Sequence, residues 1–222
     1  MDLTLKSKKP VVFTGAMRDV SDLSPDGPSN IYNAVLQASS KESKDWGVTV
    51  TLNQYINSPW HVRKTQSYNV QTFMAQEKGY LGYIVDNKVY KLNNRLHRMK
   101  FPVPHKLPQV ALLKTYAGDD GSFVRYAVDK GAKGIVIEGV GAGNVNAQVY
   151  EALQYALAQK VPVVLTTRVF YGGPWPMYGD AGGGATLEKA GVILGGFLSG
   201  PKARLMLMLA GSTYEIDNSK KS

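Results

Sequence analysis

The chain has 222 residues, which is enough for one large domain or for two domains of about 100 residues each. Its hydrophobic content of 44% and aromatic content of 10% are those of a globular protein and exclude an intrinsically disordered chain. The sequence contains no cysteine, which excludes disulfides, thiolate metal sites and a cysteine nucleophile.

The formal net charge of +9 favours acidic partners such as nucleic acid. However, the densest basic clusters, residues 6–9, 88–106 and 220–221, do not alternate with aromatic residues, so we predict a solvated surface and no nucleic-acid partner. No apolar run approaches the ~20 residues that span a membrane, and residues 1–10 lack the apolar core of a signal peptide. The chain as written is therefore predicted to be cytoplasmic without membrane contact, and a longer parent could be periplasmic.

The first hundred residues contain few elements for a core. The predicted elements, in chain order, are a buried strand at residues 11–16, a turn at 24–29, a helix at 30–39, a strand at 47–52 and a hairpin of residues 81–85 and 88–92 around Asp86-Asn87. In the helix, Ile31, Ala34, Val35 and Ala38 recur at helical spacing. Because two buried-type strands and one helix make a poor core, we predict that this domain is incomplete.

A basic, proline-bearing stretch at residues 98–108 is predicted to be a linker between domain 1–97 and domain 109–222. Strands then alternate with helices. The strands are predicted at residues 110–114, 134–138 and 161–166, and the helices at 121–130, 146–159 and 201–209, with a mixed segment at 185–198. Phe123, Ala127 and Val128 are predicted to face inward. The fold class is therefore α/β, with two parallel-sheet domains of which the second is small and flavodoxin-like.

Several short motifs follow one another along nearly the whole chain. They are KPVVFTGAMR at residues 9–18, SPDGPSN at 24–30, VRKT at 62–65, LGY at 81–83, GVGAGN at 139–144 and PKAR at 201–204. Together and in this order they resemble the bacterial-type L-asparaginase family. The resemblance implies hydrolysis of L-asparagine to L-aspartate and ammonia through a threonyl acyl-enzyme. It also implies no cofactor or metal, and a homotetramer built from intimate dimers.

The family's nucleophilic threonine belongs to a TGGTIA-type loop, and a second threonine and an aspartate belong to a THGTD-type motif. Neither motif occurs in the 222 residues. We therefore expect a truncated chain or one half of a split enzyme, inactive alone and complemented by an N-terminal fragment. The open alternatives are a non-catalytic binding or assembly remnant and an asparaginase-like subunit of a tRNA-dependent amidotransferase. The preference for asparagine or glutamine stays open.

Three residues match functional positions of the family. Lys64 matches the lysine that polarises the second threonine, and Arg63 replaces the usual threonine before it. Ala16 matches a position whose backbone holds the substrate amide, and Asn144 one that reaches into a neighbouring subunit's site. The structural alternatives are a solvated lysine, a strand-end turn and, for Asn144, a cap of the helix that starts at Asn146.

Other functional patterns are weaker. The glycines at 139, 141 and 143 do not have GxGxxG spacing, and no acidic residue ends the next strand, which argues against dinucleotide binding. His61, His97 and His105 lack metal-ligand spacing, so no metal site is predicted. Asp26 precedes the first helix and is predicted to cap it.

Overall fold

The computed structural model describes residues 1–96 and 99–219, so His97 and the basic pair at 220–221 lie outside the described residues. The chain divides into two compact units, Met1–Lys100 and Phe101–Ser222. The division falls within the stretch predicted to be a linker. Among the described residues, no helix is both long and apolar enough to cross a lipid bilayer.

The first unit is built on a mixed sheet. Its strands are β1 (Val11–Phe13), β2 (Val48–Leu52), β3 (Tyr55–Asn57), β4 (Arg63–Lys64), β5 (Phe73–Met74), β6 (Gly82–Val85) and β7 (Lys88–Lys91). Five of them form one sheet in the order β1-β2-β3-β6-β7, and β4 and β5 form a separate hairpin. The β1–β2 pair is parallel, with Val11 opposite Val48, whereas the later pairs are antiparallel. A small core lies around Trp46, Ile56, Leu81 and Ile84.

Helix α1 (Gly27–Ser39) confirms the predicted helix, but its buried face is polar. The buried residues are Asn30, Asn33, Ala34 and Gln37, whereas Ile31 and Val35 are 61% and 65% exposed. The reason is the surface against which α1 packs. β2 presents the buried hydroxyls of Thr49 and Thr51 to Gln37, and these groups require hydrogen-bonding partners.

Two hairpins of the first sheet turn on pairs of residues with positive φ. The predicted turn at Asp86 and Asn87 is confirmed, with φ of 49° and 57°. The β2–β3 hairpin was not predicted, because its turn contains Gln54, a residue type that rarely adopts positive φ; Asn53 and Gln54 nevertheless have φ values of 47° and 66°. The turn signal in the sequence was therefore too weak to reveal β3.

The second unit is a parallel α/β layer structure, as predicted. Its strands are β8 (Val110–Lys114), β9 (Gly134–Gly139), β10 (Val163–Thr167) and β11 (Ile193–Leu194). Its helices are α2 (Ser122–Asp129), α3 (Ala147–Ala158), α4 (Gly184–Lys189) and α5 (Gly200–Ser219). The strands lie in sequential order, and every neighbouring pair is parallel. The α/β fold class is thereby confirmed.

Both faces of the second sheet are covered by helices. Val124 of α2 and Val149 and Leu153 of α3 join the core on one face, and Ala203 and Met208 of α5 pack on the other. The prediction that Phe123 faces inward is wrong, because its side chain is 58% exposed. Gly121 lies so close to α3 that a Cβ there would be 2.7 Å from the Cβ of Ala152. Val124, which is 2% exposed, faces the sheet instead.

Candidate active site

Ala16 lies in an exposed loop at the end of β1. The hydroxyl of Thr14 donates to the carbonyl oxygen of Thr51 at 2.7 Å, which ties the start of the loop to β2. No heavy atom lies within 4 Å of the point where a Gly15 side chain would begin. A ligand can therefore approach the backbone of Gly15 and Ala16 from solvent, which is the access that the predicted contact to a substrate amide requires.

Asp26 organises this loop and does not cap the helix through its side chain. Its carboxylate accepts hydrogen bonds from the amides of Met17, at 3.0 Å, and Arg18, at 2.9 Å, and it makes no capping bond to α1. Partial burial raises the pKa of Asp26, but the bonds from Arg18, Met17 and the Asn30 side chain outweigh it and lower the pKa overall. Asp26 thus occupies the predicted N-cap position of α1, and its carbonyl oxygen accepts from the Asn30 amide at 3.0 Å, while its ionised carboxylate holds the loop.

Asn30 connects the loop to the rest of the first unit. Its side chain is buried at 2% exposure, and its amide nitrogen donates to Gly15 O and to Asp26 Oδ2, both at 2.9 Å. Its Oδ1 accepts from the Asn53 amide at 2.9 Å. These bonds occupy both amide hydrogens and the oxygen, so the side chain has one preferred orientation. The structural role of Asn30 was not predicted, although Asn30, Asn33 and Gln37 recur at helical spacing and could have indicated a buried polar face.

Lys64 belongs to the β4–β5 hairpin, where it pairs with Phe73 and its side chain is exposed. Thr72, which is fully buried, holds the turn of this hairpin. Its carbonyl oxygen accepts from both the amide and the hydroxyl of Thr65 at 2.9 Å, and its hydroxyl oxygen accepts from the Gln66 amide at 2.9 Å. The backbone beside Lys64 is therefore fixed, while its amine reaches solvent.

Asn144 lies in the second unit, at the end of a closed loop after β9. The loop is closed by reciprocal backbone bonds between Val140 and Asn144, of 2.8 and 2.9 Å. The Asn144 Oδ1 is buried and accepts no hydrogen bond among the described residues. Asn146, not Asn144, caps α3, because its Oδ1 accepts from the Val149 amide at 2.8 Å. The cap function is thus already filled, which leaves the Asn144 oxygen as an unused acceptor.

The loop after β10 packs on the Asn144 loop and exposes aromatic side chains. The Thr167 hydroxyl donates to Gly141 O at 2.6 Å, and the Trp175 amide donates to Ala142 O at 2.9 Å. Tyr171 and Trp175 are 55% and 52% exposed. The Asn144 loop is therefore rigidly supported and bordered by an apolar surface that faces solvent.

No group of three or more histidine, aspartate or glutamate side chains lies close enough to hold an ion among residues 1–96 and 99–219. His61 is buried, and His105 is exposed. Ala16 and Lys64 belong to the first unit and Asn144 to the second.

Comparisons with known proteins agree with the motifs. Residues 1–97 match the family model described as "Asparaginase, N-terminal", and residues 109–221 match the "Glutaminase/Asparaginase C-terminal domain". The L-asparaginase of Bacillus licheniformis is 37% identical over 215 residues, which are 97% of this chain and 67% of that protein. L-asparaginase 2 of Escherichia coli is 36% identical over an alignment of 223 positions, which covers 95% of this chain and 61% of that protein.

The fold has a close structural counterpart. The crystal structure of a probable cytoplasmic L-asparaginase from Campylobacter jejuni superposes with a TM-score of 0.86 at 38% identity, covering 98% of this chain and 70% of that one. The chain folds into two units of helices and strands, and a glycine-rich loop follows the second strand of the second unit. The two family models and the relatives show that the chain belongs to the asparaginase family. It spans 56–67% of the length of four curated relatives, the L-asparaginases of Bacillus licheniformis and Escherichia coli among them.

Proposed function

We propose that this chain contributes to an L-asparaginase-type amidohydrolase, which converts L-asparagine to L-aspartate and ammonia. The observation that carries the proposal is the match of 97% of the chain to an L-asparaginase at 37% identity. The exposed and firmly held Ala16 loop supports it, because acyl transfer needs preorganised polar groups that a substrate can reach. The boundaries 1–97 and 109–222 are proposed as the two domains of this enzyme.

In the proposed reaction, a threonine hydroxyl oxygen bonds to the amide carbon, ammonia leaves, and water then hydrolyses the ester. A threonine hydroxyl needs a partner that relocates its proton, and the exposed amine of Lys64 is the proposed group for that task. The backbone around Ala16 would hold the amide. The buried, unused oxygen of Asn144 would accept a hydrogen bond from the amino-acid end of the substrate.

We further propose that the nucleophile comes from a polypeptide segment outside these 222 residues, since they contain neither a TGGT nor a THGTD motif. An open surface of the first unit supports such a partner. β1 is the end strand of its sheet, and Ile31, Tyr32 and Val35 on α1 are 61%, 55% and 65% exposed. A strand and an apolar segment of a complementing fragment would cover this edge and face.

The homo-oligomer is also a proposal. Exposed aromatic residues border the Asn144 loop, among them Tyr171, Trp175 and Tyr178. Aromatic side chains are enriched at subunit interfaces, and a second copy would bury them. Asn144 would then contribute to a site completed by the neighbouring copy.

The test is ammonia release from L-asparagine by the purified chain, alone and with a polypeptide covering the part of the Bacillus licheniformis L-asparaginase that has no counterpart here. We expect background release by the chain alone and enzymatic turnover in the mixture. Lys64→Met should lower turnover of the mixture about 100-fold or more. Lys88→Met, at an exposed lysine of β7, is the matched control and should leave turnover unchanged. Turnover by the chain alone, or a harmless Lys64→Met, would refute these assignments.

A second candidate is a non-catalytic assembly module, which is favoured by the same exposed face of α1. It predicts that the chain binds the complementing polypeptide while the mixture releases no ammonia. Binding measured by calorimetry beside the ammonia assay separates the two candidates.

A further inference from the structure

A continuous series of hydrogen bonds runs from the Ala16 loop to the Lys64 hairpin. Gly15 O accepts from Asn30 Nδ2 at 2.9 Å, and Asn30 Oδ1 accepts from the Asn53 amide at 2.9 Å. The side-chain amide of Asn53 donates to Gln71 Oε1, and Gln71 Nε2 donates to Tyr80 Oη at 3.0 Å. Gln71 immediately precedes Thr72, the residue that holds the turn after Lys64. Three of these hydrogen bonds, continued by the peptide bond from Gln71 to Thr72, therefore join two loops that are distant in sequence, and the bond to Tyr80 is a side branch.

The centre of this series is a strained turn. Asn53 and Gln54 have φ of 47° and 66°, in the left-handed region that glycine and asparagine tolerate and glutamine does not favour. The other two-residue hairpin of the sheet uses Asp86 and Asn87, which tolerate that region better. The turn at Asn53 is held by Asn30 from one side and by Gln71 from the other. Local strain that surrounding bonds hold in place is a common feature of functional sites.

We propose that Asn53 and Gln71 are positioning residues that couple the Ala16 loop to the Lys64 hairpin, so that the two segments keep a fixed relative geometry. The chemical consequence rests on the proposed function, in which the loop holds the substrate amide and Lys64 acts on the nucleophile. A polar network with all members bonded restrains its parts together, and a displacement of about 1 Å at a reacting group lowers turnover about 100-fold. In this proposal both residues act through the loop and the hairpin and not on the substrate itself.

The first experiment measures amide hydrogen exchange in the purified chain. Gln71→Leu removes both side-chain bonds, and we expect exchange at the Met17 and Arg18 amides in the distant loop to accelerate about tenfold. Gln71→Glu keeps oxygens that accept from Asn53 and from the Tyr80 hydroxyl, so it should restore slow exchange. Tyr80→Phe removes only the last bond and should give a smaller acceleration in the same direction.

The matched control is Asn93→Ala, which removes the bond from Asn93 Nδ2 to Tyr80 O, of 2.8 Å, outside the series. It should leave exchange at Met17 and Arg18 unchanged. Changes confined to the hairpin in both Gln71→Leu and Tyr80→Phe would overturn the proposed coupling.

The second experiment uses the mixture of chain and complementing polypeptide. Gln71→Leu should lower kcat at least tenfold with KM changed less than twofold, and Gln71→Glu should recover kcat. Equal kcat in the original chain and Gln71→Leu would overturn the positioning role even where the exchange effect is present. A mixture that releases no ammonia with the original chain contradicts the proposed function instead, and hydrogen exchange then decides the coupling alone.

Discussion

The buried amide of Gln37 gives a sharp test of why α1 packs with its polar face inward. Gln37 is fully buried, donates to Thr49 Oγ1 at 2.8 Å and accepts from the Thr51 hydroxyl. Gln37→Leu leaves the buried hydroxyls of Thr49 and Thr51 without this hydrogen-bonding partner, and each unsatisfied hydroxyl destabilises the fold by about 1–3 kcal/mol. Burial of the apolar leucine side chain offsets part of that loss. We expect the unfolding free energy of the first unit to fall by about 2–4 kcal/mol, a large share of the ~5–15 kcal/mol typical of a domain.

The triple variant Gln37→Leu, Thr49→Val, Thr51→Val should recover most of this loss. It removes donors and acceptors together, which leaves the stability within about 1 kcal/mol of the original chain. Urea unfolding is followed by the fluorescence of the two tryptophans of the first unit, Trp60 and the 1% exposed Trp46, in a Trp175→Phe background that removes the tryptophan of the second unit. A Gln37→Leu chain as stable as the original, or a triple variant no better than the single one, would refute the reasoning.

Three further predictions concern other parts of the chain. Gly139→Ala places a Cβ 2.6 Å from facing backbone and should destabilise the second unit by about 2–4 kcal/mol in calorimetry, whereas Gly15→Ala, with open space, should cost less than about 1 kcal/mol. Burial raises the pKa of Asp26, but hydrogen bonds to the carboxylate outweigh burial and lower the pKa overall. The ionised carboxylate therefore stabilises the folded state above about pH 4, and this contribution is lost as the pH falls. The difference in urea unfolding between the original chain and Asp26→Asn should therefore shrink as the pH falls below that value. Asp2→Asn leaves the buried Arg95 charge without its carboxylate partner. The free energy of unfolding of the first unit should fall by about 3 kcal/mol, which is measured as a lower melting temperature.

The second unit was largely predictable because its elements follow simple periodicity. The strand predicted at residues 110–114 is the observed β8, and the helix predicted at 146–159 differs from α3 only in its two cap residues. Each of these strands is a short β-branched or apolar run between turn residues, and each helix has an apolar stripe. In that situation burial follows hydrophobicity, so the sequence pattern and the packing agree.

The first unit was less predictable because its packing depends on specific pairs. The burial of Asn30 and Gln37 depends on partners, Gly15, Asn53, Thr49 and Thr51, that periodicity cannot identify. The candidate site divides in the same way. The motifs identified the positions of Ala16, Lys64 and Asn144, whose roles stay predictions, whereas the residues that hold the Ala16 loop emerged only from the structure.

The energetics of α1 link these observations. In the chain without a complementing fragment, leaving Ile31 and Val35 in water while burying side-chain amides forgoes hydrophobic stabilisation on one face of α1 and costs desolvation on the other. The buried amides compensate only through bonds of good geometry, and those of Asn30 extend to the Ala16 loop. The arrangement therefore gives up stability for a defined loop geometry. Departures of this kind from local pattern are expected where a fold supports a site, which is why the first unit is the place to test the proposed chemistry.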